Sequence, residues 1–205
     1  AEMEINMNKK EMIIQNISDS IDTKKKILQD EEFIEKIEKV ADVCVDAYLS
    51  GNKLLMCGNG GSASDAQHMA GELVGRYLME RKGIPAVALN ANTTILTALG
   101  NDYDYDSVYE KQVTALGREG DVIFAISTSG NSANCVKACE RAKNMGITTV
   151  ALTGESGGKL RKVCDYTFNV PCTMTPHIQE AHIMLIHIIC GIIEERLMEA
   201  GYFED

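Results

Sequence analysis

Apolar residues recur at helical spacing twice before any strand pattern begins. Ile13, Ile14, Ile17, Ile21 and Leu28 form the first set, and Phe33, Ile34, Ile37, Ala41, Cys44 and Tyr48 form the second, ending at Gly51. Two amphipathic helices are predicted. Beyond Gly51 the pattern changes to short apolar runs at 53–57, 86–89, 121–127, 147–152 and 165–170, which read as buried strands. Helical stretches near 62–80, 105–116 and 132–145 lie between them, and Ile178 to Leu197 reads as a final long helix with Met184, Leu185, Ile188, Ile189, Ile192 and Ile193. Such alternation predicts an α/β fold with a parallel, doubly wound sheet. Residues 1–50 read as a helical extension and 51–205 as the main domain. The wide apolar stripes of the terminal helices must pack on their own domain or on another subunit. The opening AEMEIN reads as a disordered or extraneous lead-in.

Ligands of doubly wound sheets sit beyond the carboxyl ends of strands, and two loops occupy such positions here. The run Lys53–Met56 leads into Cys57-Gly58-Asn59-Gly60-Gly61. There Asn59, Gly60 and Gly61 permit positive φ and close approach to a ligand, and Ser62 is placed to cap the next helix. A helix N-terminus of this kind favours an anion, although a glycine cluster alone is also what a sharp strand-to-helix connection needs. The run Asp121–Ser127 leads into a second loop, where Ser127, Thr128, Ser129 and Ser132 crowd one turn beside Gly130. Hydroxyls and backbone N–H groups there bind phosphate without the lysine of a P-loop, which is absent. The alternative is an ordinary hydroxyl cap. Neither loop fits GxGxxG, which disfavours a dinucleotide site.

Composition narrows the function further. A chain of 205 residues with 45% hydrophobic content can bury one substantial core. Its formal charge of -10 disfavours nucleic-acid partners, so an anionic ligand must be held by local dipoles and by Arg76. No stretch approaches about 20 uninterrupted apolar residues, and no signal-peptide core is seen, which predicts a cytoplasmic protein without membrane contact. The seven cysteines lack CxxC spacing and read as reduced, buried small hydrophobes.

Proton-handling candidates fall on two helices. His68 and Glu72 stand four residues apart and face one way, as a functional pair or as a solvated intrahelical hydrogen bond. His177, His182 and His187 lie on the last helix beside Gln179 and Glu180. At 100° per residue Gln179 and His187 are about 80° apart, close enough to share a pocket. Glu180 and His182 fit almost as well, so helical geometry leaves the choice open.

Four motifs in order, CGNGGSASDAQHMAGE (57–72), LGNDY (99–103), ISTSGNSAN (126–134) and IQEAHIMLIH (178–187), resemble the phosphoheptose isomerases of the sugar isomerase (SIS) domain superfamily. The match spans about residues 30–198. The resemblance implies a flavodoxin-like three-layer sandwich around a parallel five-stranded sheet. It also implies a homotetramer, with the N-terminal helices in its central bundle and active sites shared between subunits. The implied activity is conversion of sedoheptulose 7-phosphate to D-glycero-D-manno-heptose 7-phosphate, which supplies heptose for lipopolysaccharide, capsule or related glycans. Carried over by position, it places substrate on Asn59, Gly60, Gly61, Asn101, Asp102, Ser127, Thr128, Ser129 and Ser132. His68, Glu72, Gln179 and His187 match positions that hold zinc or meet the reacting carbons, which selects His187 over His182. Glu72 is then the base and His187 the complementary acid/base of an enediol isomerisation. One departure stands out: relatives place Arg before the IleGlnGlu run, where this chain has His177. Competing readings within the superfamily are a non-catalytic adaptor of the DnaA replication initiator, a sugar-phosphate-sensing regulator and an isomerase of another ketose phosphate. Adaptors lack the helix glutamate and the final histidine, and both are present here.

Overall fold

The computed structural model describes residues 8–204, so the AEMEIN lead-in lies outside the described residues. Helices α1 (Lys9–Leu28) and α2 (Glu31–Leu49) come first. Asn8 and Glu11 form a reciprocal capping box on α1, and Asp30 accepts the Phe33 N–H at the start of α2. Then follow β1 (Leu54–Gly58), α3 (Gly61–Val74), β2 (Ala86–Ala88), α4 (Thr93–Asp102), a 3-10 turn at Tyr105–Ser107 and α5 (Val108–Leu116). The chain ends with β3 (Val122–Ile126), α6 (Ala133–Asn144), β4 (Thr148–Thr153), α7 (Leu160–Val163), β5 (Tyr166–Asn169) and α8 (Thr175–Glu199).

All strand pairs are parallel, in the order β2-β1-β3-β4-β5. This flavodoxin-like order reverses direction between β1 and β3, which makes their carboxyl ends the switch point. Side chains alternate across the sheet. Leu54, Met56 and Phe124 pack against α2, α3 and α8, whereas Leu55, Cys57 and Ile123 pack against α5 and α6. Both faces are therefore covered, which is why the strands read as unbroken apolar runs. The chain is a three-layer α/β sandwich, as predicted.

Three local differences have physical causes. The helix predicted over 62–80 ends at Val74, because Gly75 breaks it and the Arg81 guanidinium occupies the Glu72, Leu73 and Gly75 carbonyls. Helix α4 leaves no stripe in the pattern because none of its residues is buried. The stripes of the first two helices have different fates. That of α2 enters the core, but Ile13, Ile14, Ile17, Ile21 and Leu28 on α1 remain 47–74% exposed. Among the described residues, α1 buries only Thr23 and Ile27.

All seven cysteines are free, and five are buried. Burial pushes the Cys44 thiol well above its usual range and Cys190 up to about 12, so neither is a nucleophile at neutral pH. No helix among the described residues is long and apolar enough to cross a membrane.

Candidate active site

The two loops lie side by side because β1 and β3 are hydrogen-bonded neighbours ending together at Gly58 and Ile126. In the first loop only Gly60 takes positive φ (58°), and it serves as the N-cap of α3. Ser62, predicted as the cap, is instead a buried residue within the helix, whose N–H donates to the Asn59 carbonyl. The positive-φ turn at Gly60 starts the helix two residues earlier than a cap at Ser62 would. In the second loop Ser132 precedes α6 without a side-chain cap bond, and its hydroxyl lies 2.9 Å from that of the buried Ser127. Ser129 Oγ accepts the Asn131 N–H. Gly130, at φ 66°, lies against Gly157 and Gly158, which also take positive φ.

A reciprocal amide pair joins the loops. Asn59 Nδ2 donates to Asn134 Oδ1 at 2.9 Å, and Asn134 Nδ2 donates to Asn59 Oδ1 at 3.0 Å. Tyr109 donates to the Gly58 carbonyl, and Tyr105 reaches Asn59 at 3.3 Å. The Asn59 side chain is thus taken up in joining the two loops. Sequence reasoning missed Asn134, Tyr105 and Tyr109, whose partners lie 46 or more residues away.

Helices α3 and α8 carry the second half of the site, side by side and parallel. The Gln179 carboxamide lies so near Gly61 that a Cβ there would fall 2.5 Å from its nitrogen. Seven residues along α3 and eight along α8, His68 meets His187. His68 Nε2 lies 2.8 Å from Glu72 Oε1 and 3.2 Å from His187 Nε2. The ligand atoms of His68, Glu72 and His187 all fall within 4.8 Å of one another. Two imidazole nitrogens and a carboxylate oxygen suit zinc, whose ligands about 2.1 Å from the ion stand roughly 3.4 Å apart. The donor set fits such an ion and leaves a fourth position for another group. His68 is 44% exposed and Glu72 23%, so small molecules can reach the cluster.

Burial separates His182 from His187. His182 is fully buried, its Nε2 lying 3.0 Å from the Thr153 carbonyl, while its Nδ1 has no hydrogen-bond partner among the described residues. Burial lowers its pKa from 6.5 to about 4, outweighing the Thr153 bond. A neutral core histidine of this kind stabilises the fold above its unfolded pKa and loses that contribution as pH falls from 6.5 toward 4. The urea midpoint should therefore drop more between pH 7 and pH 4 in the unsubstituted protein than in His182→Asn. Equal drops would refute this account.

Other predicted residues lie elsewhere. Asn101 and Asp102 sit at the exposed end of α4, where Asn101 donates to Asp102, and no hydrogen bond among the described residues ties them to the His–Glu cluster. Arg76 is turned to solvent, 3.6 Å from Glu80. His177 is buried with Nδ1 3.3 Å from Glu180, and Glu180 also accepts from Ser20 and lies 3.8 Å from Lys24. The bond from Ser20, helped by His177 and Lys24, holds the Glu180 carboxyl below its usual range. His177 therefore belongs to the seam between α1 and α8.

A flavodoxin-ordered sheet with two glycine- and hydroxyl-rich loops at its switch point and an imidazole–carboxylate cluster on the adjoining helices defines an α/β protein with a candidate acid–base site. A SIS domain family profile matches residues 16–154. The phosphoheptose isomerase of Clostridium acetobutylicum is 48% identical over 92% of this chain and 96% of its own. That of Aneurinibacillus thermoaerophilus is 51% identical over 89% and 92%. The solved phosphoheptose isomerase from Neisseria gonorrhoeae superposes with a TM-score of 0.85 at 42% identity, covering 91% of this chain and 98% of that one. The chain belongs to the phosphoheptose isomerase family of SIS domain proteins. It is a sugar phosphate isomerase.

Proposed function

We propose that the protein converts D-sedoheptulose 7-phosphate to D-glycero-D-manno-heptose 7-phosphate through an enediol. The observation that carries this reading is the parallel pairing of α3 and α8, which puts the cradle at one end and His68, Glu72 and His187 at the other. Gly61 and His68 are about 10 Å apart along the helix axis, comparable with an extended seven-carbon sugar phosphate. Gly60, Gly61, Ser127, Thr128, Ser129, Ser132 and the Asn59 backbone hold the phosphate, whose binding energy orients a flexible chain. Gln179, Asn101 and Asp102 meet the sugar hydroxyls.

Glu72 removes the proton from C1 of the ketose and returns it to C2, giving the aldose. Its Oε1 is turned to His68, and Oε2 makes no hydrogen bond among the described residues. His187 moves the accompanying proton between the C1 and C2 oxygens. Zinc, held by His68, Glu72, Gln179 and His187, would polarise those oxygens when bound.

The exposed stripe of α1 supports a homotetramer in which the N-terminal extension, residues 1–50, lies between subunits and the domain of residues 51–205 carries the sites. The bare surface of α4 supports a site completed by a neighbour, Asn101 and Asp102 being its contribution. Seven free thiols support a cytoplasmic setting. Purified protein incubated with sedoheptulose 7-phosphate should yield the aldose by NMR, with turnover lost to a chelator and restored by zinc. Light scattering should return four times the 22.4 kDa chain mass. Absence of product with zinc present would favour an adaptor, faster turnover of another ketose phosphate would replace the substrate, and a monomer mass would remove the shared site.

A further inference from the structure

Between α3 and α8 runs the segment 75–83, which the mechanism above does not use. It is held more firmly than an irregular loop requires. Glu194 and Arg81 are each 1% exposed and form a buried pair at 2.8 Å. The Glu194 carboxylate also accepts the N–H groups of Tyr77, Leu78 and Met79 at 2.7–3.0 Å. Burial pushes its pKa up, but these bonds and Arg81 outweigh that and hold the carboxyl below its usual range. Arg81 in turn donates to the Leu73 and Glu72 carbonyls, both at 2.9 Å. One ion pair therefore ties the segment to the helix bearing His187 and to the backbone of Glu72 itself.

The clamp delivers one side chain to the site. The Tyr77 ring lies on the His187 imidazole, centroids 5.8 Å apart and planes 23° from parallel, within the offset-stacked range. It occupies a notch on α8: a Cβ on Gly191 would stand 3.2 Å from Tyr77 Cε1, tighter than nine in ten real Cβ contacts, so the ring would have to give by a few tenths of an ångström. His187, Gly191 and Glu194 are spaced i, i+4 and i+7, so they form one stripe facing the segment. A glycine inside a 25-residue helix is otherwise unfavourable.

We propose that Tyr77 is a positioning residue for His187: its ring, seated in the Gly191 notch and fixed by the Arg81–Glu194 clamp, sets the plane in which the imidazole faces His68 and Glu72. This rests on the reading that His187 serves the isomerisation. The stack covers one face of the imidazole and fixes the direction in which its Nε2 edge points, toward His68. Stacking needs the ring and not the hydroxyl.

The test uses Tyr77→Phe, Tyr77→Ala and Gly191→Ala in the zinc-loaded full chain. Tyr77→Phe should keep kcat within about twofold, and Tyr77→Ala should lose about 10- to 100-fold in kcat with KM little changed, as misplacement of a reacting group does. Gly191→Ala is the discriminating variant. Alanine is the better helix former, so its Tm should hold or rise while kcat falls several-fold. A merely structural segment would instead give losses that track Tm. The His187 ring-proton resonances, read by NMR in the metal-free chain, should match the unsubstituted protein in Tyr77→Phe and move in the two alanine variants. Unmoved resonances, or unaltered kcat in both alanine variants, would overturn the proposal. If the unsubstituted protein isomerises nothing, the functional reading fails and the resonances alone decide the positioning.

Discussion

Glu72→Gln is expected to lower kcat by about 10²- to 10⁴-fold, the range assigned to loss of a positioned general base. The substitution keeps the shape of the side chain and removes its basicity. Glu72 is partly exposed, and among the described residues its side chain pairs with His68 alone, at 2.8 Å, a contact an amide can still make. Stability should therefore change by no more than about 0.5 kcal/mol, as for substitutions away from the core. Because the same carboxylate belongs to the candidate zinc set, bound metal must be measured beside kcat. A variant with normal zinc content and a collapsed rate identifies the base. Unaltered turnover would remove Glu72 from the mechanism.

Gly130→Ala should have the largest effect on the cradle. At φ 66° any side chain is strained, and an added Cβ would stand 2.1 Å from the Gly157 carbonyl oxygen and 2.9 Å from the Gly158 nitrogen. Those are backbone atoms, so neither loop can yield by rotating a side chain. The loops must part, opening the turn that carries Ser127, Thr128, Ser129 and Ser132. We expect a loss of about 2–4 kcal/mol, combining backbone strain with a steric clash. That corresponds to a fall of roughly 5–15 °C in Tm for a chain of this size. KM for the sugar phosphate should rise more than tenfold, while its rise for a phosphate-free ketose should be small. Gly60 provides the internal comparison: it has positive φ but no atom within 4 Å of an added Cβ, so Gly60→Ala should incur strain alone. Equal stability losses at the two positions would show that the Gly130–Gly157 contact is not what holds the turn.

Much of the fold was legible because a parallel sheet covered on both faces writes its strands as continuous apolar runs. What escaped was structure determined by distant residues or by no burial at all. Helix α4 buries no residue fully, only Leu96 and Leu99 packing in part against the core, and so leaves too short a periodic trace. The end of α3 depends on Arg81, itself held by Glu194 more than a hundred residues further on. In the site, the i, i+4 spacing of His68 and Glu72 could be read directly. Helical arithmetic could not separate His182 from His187. Only packing does so, by sending one ring to the Thr153 carbonyl and the other to α3. Tyr77 was invisible for the same reason as the end of α3: its place is set by a carboxylate on another helix.

The amide pair between Asn59 and Asn134 carries a last consequence. Each carboxamide gives one proton and receives one, at 2.9 and 3.0 Å, and neither group titrates. The join between the two ligand turns is therefore indifferent to acidity, even where imidazoles and carboxylates nearby are changing charge. Any acid or alkaline limb in a rate profile must then come from groups that do titrate, among them the phosphate of a sugar phosphate itself, and not from a loosening of this join.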